Sequence, residues 1–139
     1  MKKSQQFFTE YIQFYRPVLN RLNTLLAPYQ LFHSQWGILK LLWFEGEMTS
    51  AEIAVRKQVE KPSVTKIIQR LLEMEMVTIR PGTDRREKWI VLTPKGEATV
   101  IKVMADLEVF YEGLLEGATR EDIEAGIRIM KLANQNLHK

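Results

Sequence analysis

The sequence predicts a mainly helical fold of the α+β class. Apolar residues recur at three- and four-residue steps over long stretches toward both ends, the period of one helix face. Between them, two short segments of strand character, 77–80 and 87–92, flank Pro81-Gly82-Thr83-Asp84, which is turn chemistry. The 139 residues suit a single domain, and 45% apolar with 27% charged residues is a balance that argues against disorder.

Residues 4–27 read as a first helix with a wide aromatic stripe that includes Phe7, Phe8, Tyr11, Ile12, Phe14 and Tyr15. Pro17 is expected to kink or break it. So much apolar surface on one terminal helix suggests that part of it meets another chain, with plain core packing as the alternative. A second helix is expected over about 34–45, capped by Ser34 and closed by Gly46 in a left-handed position. Thr49 and Glu52 stand at capping-box spacing and begin a short third helix ending near Val55 or Lys57.

The segment 61–75 is the clearest helix. Val64, Ile67, Ile68, Leu71 and Leu72 form one stripe, with Ser63, Lys66 and Arg70 on the opposite side. Pro62 suits the first turn, where its missing N–H is harmless. Two short helices joined by a tight turn, the second polar and basic outside, describe a helix-turn-helix. The hairpin that follows serves as its wing, with Ile90 and Leu92 on one face and Trp89 expected to pack on a neighbouring helix. Thr93-Pro94 then starts a long helix to about Leu115, closed by Gly117, and Thr119 with Asp122 resembles the cap of a last helix.

Net charge is only +3, but residues 56–95 hold ten of the twenty basic residues and only five acidic ones, a local balance of +5 against −2 elsewhere. That asymmetry points to an anionic partner docking on the middle of the chain, the alternative being a solvated charged face. At the start of the 61–75 helix, Pro62, Ser63, Thr65 and Lys66 are placed to read base edges in a major groove: Lys66 toward guanine, Pro62 against a thymine methyl. Arg70, one turn on, is better placed for phosphate. The hairpin tip carries Asp84-Arg85-Arg86; an arginine there reaches a narrow minor groove, and Asp84 is spaced to hold Arg86 by a charge-assisted bond. The same triplet also reads as a solvated turn with a weak surface ion pair.

KPSVTKIIQRLLE (61–73) and, more specifically, DRREKWIVLTPKG (84–96) resemble the MarR family of bacterial transcriptional regulators. Asp84, Arg85, Arg86, Ile90, Leu92, Thr93 and Gly96 match its wing pattern. The resemblance implies a winged helix-turn-helix lobe over 34–96 within one domain, and a homodimer built on helices from 1–30 and 100–139. It further implies a palindromic double-stranded DNA operator, major-groove reading by the 62–66 region and Arg86 in the minor groove. One departure stands out: where relatives have glycine after the recognition helix, this chain has Glu75, which costs roughly 1 kcal/mol if the position needs positive φ.

Many members of the family bind small aromatic or phenolic acids. Tyr11, Tyr15, Arg16, His33 and Trp36 offer aromatic walls and a cation for such an effector, an ordinary core with a satisfied histidine being the alternative. With two histidines and no cysteine, no metal site, disulfide or thiol sensor is expected. No cofactor is expected, nor an enzyme, since there is no nucleophile–base set and no phosphate-cradling glycine loop. No apolar run reaches the roughly 18 residues of a membrane span, and the N-terminus lacks an export signal, so a cytoplasmic location is expected. The reading that follows is a sequence-specific dimeric regulator, most simply a repressor relieved by a small molecule. The alternative is a winged helix used as a protein–protein module without an operator.

Overall fold

The computed structural model describes every residue except Arg85. In chain order it contains α1 (Lys3–Leu26), a single 3-10 turn (Ala27–Tyr29), α2 (His33–Glu45), β1 (Met48–Thr49), α3 (Ser50–Lys57), α4 (Lys61–Glu73), β2 (Val77–Pro81), β3 (Lys88–Leu92), α5 (Pro94–Leu114) and α6 (Arg120–Leu137). The strands form one antiparallel sheet in the order β1-β3-β2. The chain divides within α5 into two compact units, Met1–Ala105 and Asp106–Lys139.

In the first unit, α3 and α4 are the helix-turn-helix and β2–β3 the wing. The buried stripe of α4 is Val64, Ile68 and Leu71, closing on Ile53 and Ala54 of α3 and on Trp36, Ile38, Leu39 and Leu42 of α2. Within the sheet, Met48 and Ile90 are opposite one another and buried, while the alternate residues Thr49, Trp89 and Arg80 share the other face. In the second unit, Thr119 and Asp122 cap α6 reciprocally: the Thr119 amide donates to Asp122 Oδ2 at 3.0 Å, and the Asp122 amide to Thr119 Oγ1 at 3.1 Å. Gly117 takes φ +90°, as a helix-closing glycine should.

Several expectations are corrected. Pro17 does not break α1; the carbonyl it leaves free belongs to exposed Gln13, which water can satisfy. Ser34 is not the cap of α2. The cap position is Phe32, whose amide donates to Gln35 Oε1 at 2.9 Å, and the His33 amide is taken by Asn23 Oδ1 of α1 at 2.8 Å. A side chain from a neighbouring helix therefore does work assigned to a local serine. Thr49 accepts from the Glu52 amide at 3.2 Å, but the return bond from Glu52 is not made, because Thr49 lies in β1 opposite Trp89. Gly46 has positive φ (84°), with ψ at −170° rather than in the left-handed helical well. Trp89, expected to pack on a neighbouring helix, lies beneath the Arg80 guanidinium, 5.7 Å from its ring centroid.

Candidate nucleic-acid interface

The turn between α3 and α4 is set by Gln58, which takes φ 56° and lets its amide and that of Val59 bond back to Val55 and Ala54. α4 then begins at Lys61 with Pro62 in its first turn. Lys61, Pro62, Ser63, Thr65, Lys66, Gln69 and Arg70 are all exposed, so the outer face of α4 is polar and cationic throughout. The Thr65 hydroxyl donates to the Lys61 carbonyl at 3.0 Å, which leaves its lone pairs outward. Arg70 leans on Glu73 at 3.4 Å, an exposed pair one helical turn long that is worth little.

The hairpin closes by Gly82 and Glu87: the Gly82 amide donates to the Glu87 carbonyl at 3.0 Å, and the Glu87 amide to the Asp84 carbonyl at 3.0 Å. Asp84 Oδ1 accepts the main-chain amide of Arg86 at 3.1 Å. This corrects the expected ion pair. Asp84 shapes the turn by an Asx-type bond to the backbone and leaves the Arg86 guanidinium with no carboxylate partner among the described residues. Arg85, also expected to contact DNA, lies outside the described residues.

Arg86 and α4 face one cleft. A groove of about 480 Å³ runs between the start of α3, the outer edge of α4 and the wing; Lys61, Thr65, Gln69, Arg86 and Lys88 line it together with the acidic Glu87 and an apolar floor that includes Ile68 and Ile79. The cationic tally of 56–95 shrinks on inspection. Arg56 is bound to Glu45 at 2.7 Å, and that bond and charge raise its already high pKa. Arg80 is bound to Glu47, Lys95 donates to the Met74 carbonyl at 2.8 Å, and Lys57 lies against α2 with its amine 2.9 Å from where a Gly37 side chain would begin. Burial, and then Lys40, lower the Lys57 pKa. Lys61, Lys66, Arg86 and Lys88 remain free of carboxylates among the described residues, and Lys61, Arg86 and Lys88 line the groove.

The five residues expected to serve an effector are dispersed in character. Tyr11 and Tyr15 are half exposed on α1 with rings 5.8 Å apart, and Arg16 is exposed beside them. His33 contacts Asn23 through its amide and its ring, and Trp36 is 5% exposed within the core. Sequence reasoning missed β1 and the Glu47–Arg80 pair, which join residues remote in the chain. The only local signal was the arginine–tryptophan pairing that opposite strands of a hairpin allow.

A helix-turn-helix whose exposed recognition face and wing arginine border one cationic groove defines a winged-helix DNA-binding protein. Comparison with known proteins narrows the class. The family model described as "MarR family" matches residues 31–88. The uncharacterized HTH-type transcriptional regulator YwoH of Bacillus subtilis (strain 168) is 37% identical over 117 residues, 84% of this chain and 85% of the relative. The uncharacterized HTH-type transcriptional regulator SAV2265 of Staphylococcus aureus (strain Mu50 / ATCC 700699) is 28% identical over 98% of this chain and 95% of its own length. The solved structure of Staphylococcus aureus MarR in complex with salicylate and kanamycin superposes with a TM-score of 0.89 at 28% identity, covering 96% of this chain and 91% of that one. The chain belongs to the MarR family of helix-turn-helix transcriptional regulators.

Proposed function

We propose that this protein is a dimeric, sequence-specific repressor that binds a palindromic operator and is released by a small aromatic or phenolic acid in the cytoplasm. The shared groove carries the DNA-binding part of the reading, because it brings Arg86 of the wing and the Lys61–Gln69 edge of α4 to one side of the molecule. In this reading Pro62, Ser63, Thr65 and Lys66 meet base edges, Arg70 a phosphate, and Arg86 with Arg85 the minor groove, with Asp84 shaping the tip. The outer face of α4 presents charge and hydroxyls rather than apolar groups, which favours DNA over a protein partner.

The 1–30 and 100–139 helices supply the dimer contacts. Phe8, Ile12, Phe14 and Tyr15 on α1 and Ile127, Met130, Leu132 and Leu137 on α6 are each 42% or more exposed in the single chain, more apolar surface than a monomer leaves bare. Tyr11, Tyr15, Arg16, His33 and Trp36 are the residues assigned to the effector; the complex of the Staphylococcus aureus relative with salicylate supports an anionic aromatic ligand.

Enrichment of duplexes from a random pool tests the reading as a whole. A palindrome with half-sites about 10 bp apart is expected, bound with an affinity that falls steeply with salt. Failure to enrich any sequence overturns it. Sedimentation as a 16.3 kDa monomer at micromolar concentration overturns the dimer. Salicylate that leaves the protein–operator complex intact at millimolar concentration removes the proposed effector class.

A further inference from the structure

Arg80 belongs to the basic stretch that points to DNA, yet its exposed side chain is turned across the sheet and held there. Glu47, in the loop before β1, receives Arg80 through both carboxylate oxygens: Nε donates to Oε2 at 3.1 Å and Nη2 to Oε1. The remaining amino group donates to the Pro81 carbonyl at 3.2 Å, and the guanidinium carbon stands over Trp89. β1 and β2 flank β3 on opposite sides, so the pair crosses the full width of the sheet, about 10 Å at ordinary strand spacing. Trp89 of β3 lies under the crossing. The ring is packed from its far end as well: a side chain at Gly82 would overlap Glu87 and come within 2.9 Å of Trp89 Nε1.

β1 is only two residues long, so the backbone pairing that joins the wing to the start of α3 is short. The Glu47–Arg80 strap adds a second connection between the same two parts. One end is fixed at the junction of α2 with the helix-turn-helix, and the other on the strand that leads to the wing tip.

We propose that Glu47 is a positioning residue for DNA binding: by strapping Arg80 over Trp89 it sets the angle of the wing and so aims Arg86 relative to α4. The inference rests on the proposed DNA-binding function and makes a prediction of unusual sign. Removing a negative charge from a DNA-binding surface, and freeing an arginine beside it, ordinarily tightens binding. Loss of the strap weakens it instead.

The test is a double-mutant cycle of Glu47→Gln and Arg86→Ala on an enriched operator at fixed salt, with hydrogen exchange of the same proteins without DNA. Glu47→Gln is expected to weaken binding about fivefold or more when Arg86 is present and less than about twofold when it is alanine, since coupled residues depart from additivity. Exchange is expected to accelerate in β2 and β3 and to stay unchanged in α2 and α4. Tighter binding by Glu47→Gln, equal losses in both backgrounds, or exchange raised evenly through the first unit each overturn the strap while leaving the wing assignment standing. An Arg86→Ala protein that binds as tightly as the parent overturns the wing assignment, and the strap with it.

Discussion

The Thr93 hydroxyl donates to the main-chain carbonyl of Glu75 at 2.6 Å, tying the entrance of α5 to the exit of the recognition helix across the base of the wing. The same oxygen accepts the Gly96 amide at 3.0 Å, the Thr93 amide reaches the Met76 carbonyl at 3.1 Å, and the Lys95 amine the Met74 carbonyl at 2.8 Å. The carbonyls of Met74, Glu75 and Met76, the residues that leave α4, are thus taken by Thr93 and Lys95 at the entrance of α5. This is the physical content of the Leu-Thr-x-x-Gly pattern at 92–96: threonine caps one helix while closing another, and glycine lets the two backbones meet.

Gly96 is buried, and a methyl group there would overlap the Met76 carbonyl oxygen, a main-chain atom that cannot swing aside. Gly96→Ala is expected to destabilise the fold by about 1–3 kcal/mol through overpacking. Thr93→Val keeps the shape and loses the cap, at about 0.5–2 kcal/mol. Urea denaturation of both variants checks this; an alanine at 96 with wild-type stability would mean that the two backbones separate easily.

Glu75 sits at φ 60°, the left-handed conformation that its relatives' glycine anticipates. The Glu75 and Met76 amides bond back to Leu72 and Leu71 at 3.0 Å each, so the chain exits α4 in the usual way despite the side chain. Glu75→Gly is therefore expected to stabilise the protein by about 0.5–1 kcal/mol, the relief of strain exceeding the extra entropy of an unfolded glycine. A denaturation midpoint shifted downward would contradict that balance.

Much of this was legible locally. The stripe of α4, its first-turn proline, the Thr119–Asp122 cap and the two wing strands all follow from residues within a turn or two of each other. What escaped depends on residues far apart in sequence. Asn23 capping α2, Glu47 holding Arg80 and the two-residue β1 each need the fold before they have a partner. Asp84 was expected to hold the Arg86 side chain and bonds the Arg86 main-chain amide instead. A carboxylate two residues before an amide bonds the backbone more readily than a long side chain, because ordering the backbone of a turn demands less entropy than freezing an arginine.

At the interface, Arg86→Ala is expected to weaken operator binding by about 1–3 kcal/mol and to flatten preference where the minor groove is narrow. Lys66→Ala is expected to relax preference at one base position per half-site, because a base-reading contact and not a phosphate contact is lost. Binding-site selection with each protein separates the two. Identical profiles for Lys66→Ala and the parent would remove Lys66 from the reading set.

The strap also carries a pH signature. The hydrogen bond from Arg80 has the largest effect on the Glu47 carboxyl and holds it below the ordinary glutamate value of 4.5; desolvation opposes it, and the Arg80 charge adds a lesser lowering. A carboxylate depressed in the folded state stabilises the fold fully at pH values above its unfolded pKa. That contribution is lost as the pH falls through 4.5 and then through the lower folded value. The difference in Tm between the parent and Glu47→Gln should accordingly be constant from pH 7 to about 5.5 and shrink toward pH 3, with Arg80 charged throughout. Both partners are exposed, so the difference should also fall when salt is raised. A gap that widens on acidification would mean that protonated Glu47 holds the sheet better than the carboxylate, the opposite of what the Arg80 geometry requires.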